Sequence, residues 1–249
     1  MILVTGATGF VGTRLVKRIH KKYEVRAVFR GKVNFPKCIE PINIAQINSC
    51  TDWSDSLVGV QCVIHLAGLA HNRSDSLEQF RNINTRGTLK LAEDAYAAGV
   101  KRFIFISSIG VNGVSNNDSF KVNDFPNPTE DYAISKHEAE AGLKNIAKNT
   151  GMEVVIIRPP LVYGRGAPGN FGTLLKFEEK NLPLPLSSIN NQRSFVAIDN
   201  LVDFIVTCID HPGAANQTFL VSDDEDISTS NLLEKLILAA GKKPLLLPM

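Results

Sequence analysis

The chain has 249 residues, 44% of them hydrophobic and 21% charged, and a formal net charge of +2. This length suits one large α/β domain or a domain with a small appendage, and the balanced charge favours neither a nucleic-acid partner nor a disordered tail. The longest apolar runs are too short to cross a bilayer and no signal peptide precedes MILVTG, so we expect a cytoplasmic protein without membrane contact.

Short apolar runs alternate with longer helical patterns over the first 160 residues. The predicted strands lack polar alternation, which is typical of a parallel sheet covered on both faces; they are 2–5, 24–29, 62–67, 102–107 and 153–158. Helices are predicted over 76–98, and from Thr129, a candidate N-cap, to the region of Gly151. This alternation predicts an α/β fold with a Rossmann-like, doubly wound parallel sheet.

The pattern changes after residue 158. RPPLVYGRGAPGNFG (158–172) is rich in proline and glycine, and we expect it to be irregular. The predicted elements beyond it are a helix near 171–180, a strand at SFVAI (194–198), a helix over 200–210, a strand at TFLV (218–221) and a helix near 230–240.

The segment VTGATGFVG (4–12) places three glycines between the first strand and a helix. Gly6 would permit the tight turn, Gly9 would let a pyrophosphate approach the backbone, and Gly12 would let the helix pack closely on the strand. Free N–H groups at the helix start would then face the phosphates. A plain glycine turn is the weaker alternative, so the segment predicts a dinucleotide site.

We therefore expect a dinucleotide-binding Rossmann domain over 1–164, to which 193–211 returns. The rest, 165–249, is predicted to be a small and mainly substrate-binding part that is incomplete at its C-terminal end.

The residues after the second strand bear on the choice between NAD and NADP. An acidic residue there would bind the ribose 2′-hydroxyl, but the sequence has Phe29 and Arg30, with Lys32 close by. The planar guanidinium of Arg30 suits a 2′-phosphate, which favours NADP. In the alternative, Arg30 is an exposed cation above a nonspecific adenine pocket.

Tyr132 and Lys136 lie one helical turn apart and leave the same face of their helix. A tyrosine exchanges protons near neutral pH only if its phenolate is stabilised, and a nearby ammonium or an oxidised nicotinamide ring does this. Ser107 and Ser108 end a predicted strand, where open α/β sheets bind ligands. Together these residues predict an acid/base site.

No metal site is predicted. The four cysteines show no CxxC spacing and no histidine cluster accompanies them, so reduced structural thiols are expected. His65 is predicted to be a buried, hydrogen-bonded histidine.

Six segments carry a family resemblance over residues 1 to about 210: TGATGFVG, VIHLAG, NINTRGTLKLAEDAYAAGVKRFIFISS, YAISK, RPPLVYG and RSFVAIDNLVD. The sequence resembles the extended short-chain dehydrogenase/reductases of the NAD-dependent epimerase/dehydratase branch, which act on nucleotide sugars. RPPLVYG, GNF, LPLPL and RSFV resemble bacterial members from polysaccharide and O-antigen gene sets.

The resemblance implies a role for each matched residue. Tyr132 would be the general acid/base, Lys136 the partner that lowers its pKa, and Ser108 the hydrogen-bond partner of the substrate hydroxyl. Asn170 and Arg193 would contact the substrate diphosphate. The implied cofactor-binding residues are Gly6, Thr8, Gly9, Phe10, Val11, Gly12, Arg30, Leu66, Ala67, Gly68, Asn84, Ser107, Tyr132, Lys136 and Pro159.

The sequence departs from the UDP-galactose 4-epimerase pattern at three places. Asn112 replaces the tyrosine of SSxxVYG, Leu161 replaces an asparagine that faces the substrate diphosphate, and the acid after the second strand is absent. The last two affect substrate placement and cofactor retention.

The function implied by the resemblance is action at C4 of a UDP-linked hexose or N-acetylhexose by nicotinamide hydride transfer. The alternative is an NADPH-dependent reductase of a 4-keto-6-deoxy sugar nucleotide. A noncatalytic dinucleotide-binding protein is disfavoured because Tyr132 and Lys136 are both present, and a dehydratase because no carboxylate directly follows the serines. The family's dimer helices, 76–98 and 131–149, have mixed outer faces that neither require nor exclude a homodimer.

Overall fold

A computed structural model describes residues 1–31, 33, 35–70, 76–169, 171 and 191–243. The chain divides into two compact units. The first, here called the sheet unit, comprises Met1–Pro159 and Asp199–Val221. The second lies within 160–198 and 222–249. The predicted helix near 171–180 and the LPLPL stretch fall outside the described residues.

The sheet unit is built on seven parallel strands. They are β1 (Ile2–Thr5), β2 (Val25–Phe29), β3 (Ile39–Asn43), β4 (Cys62–His65), β5 (Arg102–Ile106), β6 (Glu153–Arg158) and β9 (Thr218–Leu220). Their order, β3-β2-β1-β4-β5-β6-β9, changes winding direction between β1 and β4. The predicted doubly wound fold is thereby confirmed, and ligands of such sheets bind at this switch point.

Two strands escaped the sequence prediction. β3, with the sequence IEPIN, contains Pro41, and it is the edge strand of the sheet, where a missing N–H is tolerated. In the second unit, β7 (Leu161–Tyr163) pairs in parallel with β8 (Phe195–Ala197). The expectation that RPPLVYGRGAPGNFG is irregular throughout was therefore wrong, because LVY forms a short β-branched and aromatic strand between Pro160 and Gly164.

The main helices are α1 (Phe10–Ile19), α2 (Ser54–Leu57), α3 (Leu77–Phe80), α4 (Gly87–Ala97), α5 (Asp131–Thr150), α6 (Ile198–Asp210) and α7 (Thr229–Ala239). Short 3-10 turns occupy Ile109–Val111 and Pro212–Ala214. None of the helices in the described residues is long and apolar enough to span a membrane.

Two helix predictions need correction. The helix expected over 76–98 is interrupted by a π-helical segment, Arg81–Arg86, between α3 and α4. Helix α5 is not capped by Thr129, because Glu130 takes the extended N-cap conformation (φ −93°, ψ 143°) and makes no side-chain cap bond. The predicted ending holds, since Gly151 adopts φ +74°, the left-handed conformation that ends a helix.

One core cluster of the sheet unit lies between the sheet and helices α2, α4 and α5. Its largest members are fully buried, including Trp53, Leu91, Phe103, Phe105 and Leu143. Each such side chain stabilises the fold by about 1.5–3 kcal/mol relative to an exposed one. This packing fixes α5 against β5, and thus fixes where the side chains of α5 lie relative to the carboxyl ends of the strands.

Candidate active site

The turn after β1 meets the loop after β4 at the switch point of the sheet. Gly6 has φ +68°, and a Cβ there would lie 2.8 Å from the backbone nitrogen of Ala67. Only glycine combines this conformation with so close an approach. The turn role predicted for Gly6 is confirmed, and it explains why Leu66, Ala67 and Gly68 run beside the glycine loop.

The start of α1 is shaped to receive an anion. A Cβ on Gly12 would lie 2.1 Å from the carbonyl oxygen of Gly6. Gly12 therefore lets the helix pack closely on the glycine turn, whereas the sequence predicted that it would pack on the strand. Gly9 is the N-cap and offers no side-chain cap bond, and the first turn carries no acidic residue. Phe10 and Val11 occupy that turn, where backbone N–H groups lack intrahelical partners.

An open cleft lies beside this loop in the sheet unit. Among its lining residues are seven of the predicted cofactor-binding residues, namely Gly6, Thr8, Gly9, Arg30, Leu66, Ala67 and Gly68. Arg30 is the only charged side chain among the described residues that line the cleft. A tight glycine turn, an uncapped helix start and an open cleft at a switch point fit a dinucleotide.

Sequence reasoning missed several residues of this cleft. Gln46 and Ile47, which follow β3, line it together with Ile44, Leu69 and Ile83. They were missed because β3 itself was not predicted. Had the strand been recognised, the rule that ligands bind at carboxyl ends of parallel strands would have pointed to the segment after it.

Asn84 stands behind the cleft loop. It is fully buried in the π-helical segment, where its Oδ1 accepts from the N–H of Leu69 at 2.8 Å. Its Nδ2 donates to the Leu69 carbonyl and to Ser135 Oγ, each at 3.0 Å. The described structure thus gives Asn84 a supporting position behind the cleft loop, and its predicted contact with the cofactor stays a prediction.

Tyr132 and Lys136 lie one turn apart on α5, beside the carboxyl end of β5. The ammonium of Lys136 donates to the carbonyl oxygen of Ile106 at 2.8 Å and lies 4.4 Å from the centroid of the Phe105 ring. It is 5.9 Å from the centroid of the Tyr132 ring. The Lys136 ammonium is therefore held by the Ile106 carbonyl and the face of the Phe105 ring, and the Tyr132 ring lies next to it.

Ser108 is the second residue after β5 and is partly exposed. Its Oγ accepts from the N–H of Gly110 at 3.1 Å. A Cβ on Gly110 would lie 3.2 Å from the Cβ of Ala133 and 3.3 Å from Ser108 Oγ. Gly110 thus brings the Ser108 turn into contact with the first turn of α5, where Tyr132 is located.

Burial shifts the two titrating groups in opposite directions. It lowers the pKa of Lys136 to about 8, although the carboxylate of Glu140 acts the other way. It raises the pKa of Tyr132 to about 12. The lowering of the Tyr132 pKa that was expected from Lys136 is therefore not found, since burial sets the direction of the shift.

Ser107 and Pro159 take structural positions beside this site. The hydroxyl of Ser107 is buried and donates to the carboxylate of Glu140, and its predicted contact with the cofactor stays a prediction. The carbonyl of buried Pro159 accepts from the N–H of Ile109 at 3.0 Å and holds the turn that follows Ser108.

Arg193, one of the two predicted diphosphate contacts, belongs to the second unit. Arg193 is exposed, and its backbone forms an antiparallel bridge with Ile227. Asn170 lies outside the described residues.

Comparison with protein-family models matches residues 2–222 to the NAD dependent epimerase/dehydratase family. The chain belongs to this family. It is 48% identical over its whole length to a UDP-glucose 4-epimerase of Vibrio cholerae, covering 78% of that protein. It is 25% identical to the N-acetyl-alpha-D-glucosaminyl-diphospho-ditrans,octacis-undecaprenol 4-epimerase of Escherichia coli O157:H7, over 97% of this chain and 73% of the other.

Solved structures of this family share the fold. A UDP-glucuronic acid 4-epimerase from Bacillus cereus in complex with NAD superimposes with a TM-score of 0.86 at 23% identity, covering 99% of this chain and 87% of the other. A UDP-N-acetylglucosamine 4-epimerase from the same organism gives 0.87 at 19% identity, over 100% and 84%. At these identities the likeness establishes the architecture.

Proposed function

We propose that the chain epimerises C4 of a UDP-linked hexose by transient oxidation. The observation that carries the proposal is the placement of Tyr132 and Lys136 one turn apart beside the end of β5, with Ser108 on the adjoining turn. The 48% identity to a UDP-glucose 4-epimerase supports UDP-glucose as the first substrate to test.

Tyr132 is the proposed proton acceptor and donor. Its phenolate takes the proton of the 4-hydroxyl as C4 is oxidised, and after the keto sugar has rotated in the site the phenol returns the proton to the oxygen of the other epimer. A nicotinamide held in the cleft would accept the hydride from C4 and return it to the same carbon, and its oxidised ring would carry a positive charge. Ser108 Oγ, on a partly exposed turn, holds the substrate oxygen during both transfers.

Lys136 has two proposed tasks. Its ammonium stabilises the Tyr132 phenolate, and it is proposed to donate a hydrogen bond to the nicotinamide ribose. Because burial lowers its pKa to about 8, the ammonium form is kept at neutral pH but lost at alkaline pH. Gly6, Gly9 and the first turn of α1 are proposed to hold the pyrophosphate through backbone N–H groups.

The choice between NAD and NADP turns on Arg30. Arg30 is exposed and lines the cleft, which supports contact with a 2′-phosphate. An epimerase keeps one NAD between turnovers, whereas the alternative 4-keto reductase consumes NADPH in each cycle. Since the most similar relatives reported above are named as epimerases, we propose bound NAD for turnover and treat Arg30 as the residue to test.

The second unit is proposed to bind the nucleotide sugar. Arg193 offers an exposed guanidinium, which binds phosphate oxygens in pairs, and Asn170 is its proposed companion at the diphosphate. A homodimer through the outer faces of α4 and α5 is proposed as the assembly, to be tested by light scattering.

Turnover by Tyr132→Phe tests the mechanism. UDP-glucose and UDP-N-acetylglucosamine are each incubated with the wild type, and the C4 epimer is quantified by chromatography. We expect Tyr132→Phe to lower kcat by about a thousandfold or more, within the range that removal of a proton-transferring group produces. Dinucleotide binding should be unchanged, since the phenyl ring is kept. Wild-type turnover in Tyr132→Phe would refute the acid/base assignment.

The released cofactor tests the epimerase against the reductase. Denatured wild-type protein is analysed by mass spectrometry for NAD and NADP. Stoichiometric NAD supports the epimerase and leaves Arg30 as a surface cation. A protein that carries no dinucleotide and takes up NADPH in preference to NADH would overturn the epimerase in favour of the reductase.

A further inference from the structure

A buried ion pair lies directly behind the candidate active site. Glu140, one turn after Lys136 on α5, and Arg158, the last residue of β6, are 1% and 2% exposed. Arg158 donates to both carboxylate oxygens of Glu140, from Nε at 2.9 Å and from Nη2. Ser107 donates its hydroxyl to the same carboxylate. The pair thereby ties α5 to the carboxyl ends of β5 and β6.

Asn112 extends this pair into the segment that precedes α5. Its Oδ1 accepts from Arg158 Nη1 at 2.8 Å, and its Nδ2 donates to the carbonyl oxygen of Lys121 at 3.0 Å. Asn112 is itself only 3% exposed. An amide is suited to this place because it accepts from a guanidinium on one side and donates to a carbonyl on the other. Asn112 is one of the positions at which the sequence departs from the pattern of related epimerases.

We propose that Asn112, Arg158 and Glu140 form a positioning unit for the reaction proposed above. The unit holds the 109–129 segment against β6 and α5. It thereby sets where Ser108, at the start of that segment, and Tyr132, just beyond its end, meet the substrate hydroxyl. None of the three touches the reacting atoms, and each acts through the residues that do.

Two features separate this unit from ordinary core packing. It joins all of the chain segments that carry Ser108, Tyr132 and Lys136, and its buried charges are placed one turn from the Lys136 ammonium. A buried ion pair by itself adds little stability, since desolvation offsets the attraction between the charges, but it fixes geometry through its directed hydrogen bonds. Misplacement of reacting groups by about 1 Å costs on the order of a hundredfold in rate.

The charged surroundings of Lys136 come from several elements. Tyr132 and Glu140 face it from α5, His65 faces it from β4, and Arg158 lies behind Glu140 on β6. His65 is held neutral, because burial lowers its pKa to about 3. Removing the Glu140 charge would leave the guanidinium of Arg158 as the nearest uncompensated charge of the unit, and this would disfavour the Lys136 ammonium.

Two variants of the unit and one matched control test the proposal. Asn112→Ala removes the hydrogen bonds to Arg158 and Lys121 without removing a charge, and Glu140→Gln removes the charge of the carboxylate. Glu153→Gln is the control, because Glu153 accepts from Arg102 Nε at 2.7 Å and joins the same strands, β5 and β6, at their opposite ends. Thermal unfolding identifies folded variants. If Glu140→Gln does not fold, Asn112→Ala alone decides.

Kinetics with UDP-glucose provide the first readout. We expect Asn112→Ala and Glu140→Gln to lower kcat by about tenfold or more while KM changes by less than about threefold, and Glu153→Gln to match the wild type. In a plot of kcat against pH, the fall in kcat on the alkaline side should move to lower pH in Glu140→Gln and stay in place in Asn112→Ala. Wild-type kcat in both variants of the unit, or an effect confined to KM, would overturn the proposal.

Hydrogen exchange provides a readout that does not depend on turnover. In Asn112→Ala, peptides covering 113–131 should exchange about tenfold faster than in the wild type, whereas Glu153→Gln should leave them unchanged. If the wild type turns over no UDP-sugar, the proposed function fails while this measurement still decides whether Asn112 holds the segment. Unchanged exchange in Asn112→Ala would refute the positioning unit.

Discussion

Replacing Lys136 by methionine should stabilise the fold while it abolishes turnover. The side chain is 3% exposed, and burial lowers its pKa from the ordinary 10.5 to about 8. Since one pKa unit corresponds to about 1.4 kcal/mol, holding the ammonium in this place at pH 7 costs about 3 kcal/mol. Methionine has similar length and carries no charge, but it loses the hydrogen bond to the Ile106 carbonyl, which is worth about 1 kcal/mol. We expect Lys136→Met to raise the free energy of unfolding by about 2 kcal/mol.

The pH dependence of this gain identifies its cause. Between pH 8 and 10.5 the unfolded chain binds more protons at Lys136 than the folded chain does, so wild-type stability rises with pH over this window. The gain from Lys136→Met should therefore shrink as pH rises through it. Exposed Lys148, on the same helix, gives the control Lys148→Met, with little change at any pH. Urea unfolding at pH 7, 8.5 and 10 gives the free energy of unfolding of the wild type, Lys136→Met and Lys148→Met. A destabilised Lys136→Met, or a gain that does not vary with pH, would refute the reasoning.

Three further predictions follow from the geometry. Gly12→Ala should lower the free energy of unfolding in urea by more than about 2 kcal/mol and abolish dinucleotide binding in calorimetry, because its Cβ would lie 2.1 Å from the Gly6 carbonyl oxygen. Gly9→Ala, whose Cβ would lie 3.2 Å from the same oxygen, should fold normally. Equal stability of the two variants would contradict this account. Arg30→Ala should weaken NADPH binding by about tenfold and leave NADH binding unchanged if Arg30 binds the 2′-phosphate; equal effects on both cofactors would exclude that contact. His65→Gln should reduce the loss of stability on acidification, since burial lowers the pKa of His65 in the folded protein to about 3, against an ordinary 6.5, and protonation below pH 6.5 favours the unfolded chain. If the variant loses stability below pH 6.5 as steeply as the wild type, another group controls the acid dependence.

The parts of the fold that were predictable from sequence are those with strong local signals. Continuous apolar runs identified β1, β4, β5 and β6, and the glycine loop located the switch point. His65 was correctly predicted as a buried, hydrogen-bonded histidine, since its ring nitrogens lie 2.7 Å from Thr5 Oγ1 and 2.9 Å from Thr88 Oγ1. These features depend on neighbouring residues in the chain and on general rules of parallel sheets.

The missed parts depend on contacts between distant residues. β3 contains a proline that is compatible with a strand only at a sheet edge, and edge position is not readable from IEPIN. The π-helical segment places Asn84 where its side chain accepts from the N–H of Leu69, a residue of a separate loop. The local sequence of the helix does not show this contact. Glu140 and Arg158 are 18 residues apart, and only the packing of α5 on β6 brings them together. Arg158, a charged residue that follows the apolar run VVII, was the one available signal.

The fate of the C4 hydrogen tests the central claim most directly. The wild type is incubated with UDP-glucose that carries deuterium at C4, without added dinucleotide, and the product is followed by NMR. C4 epimerisation by internal hydride return predicts UDP-galactose that retains deuterium at C4, and none from Tyr132→Phe. Loss of the deuterium, or no C4 epimer from the wild type, would contradict the account.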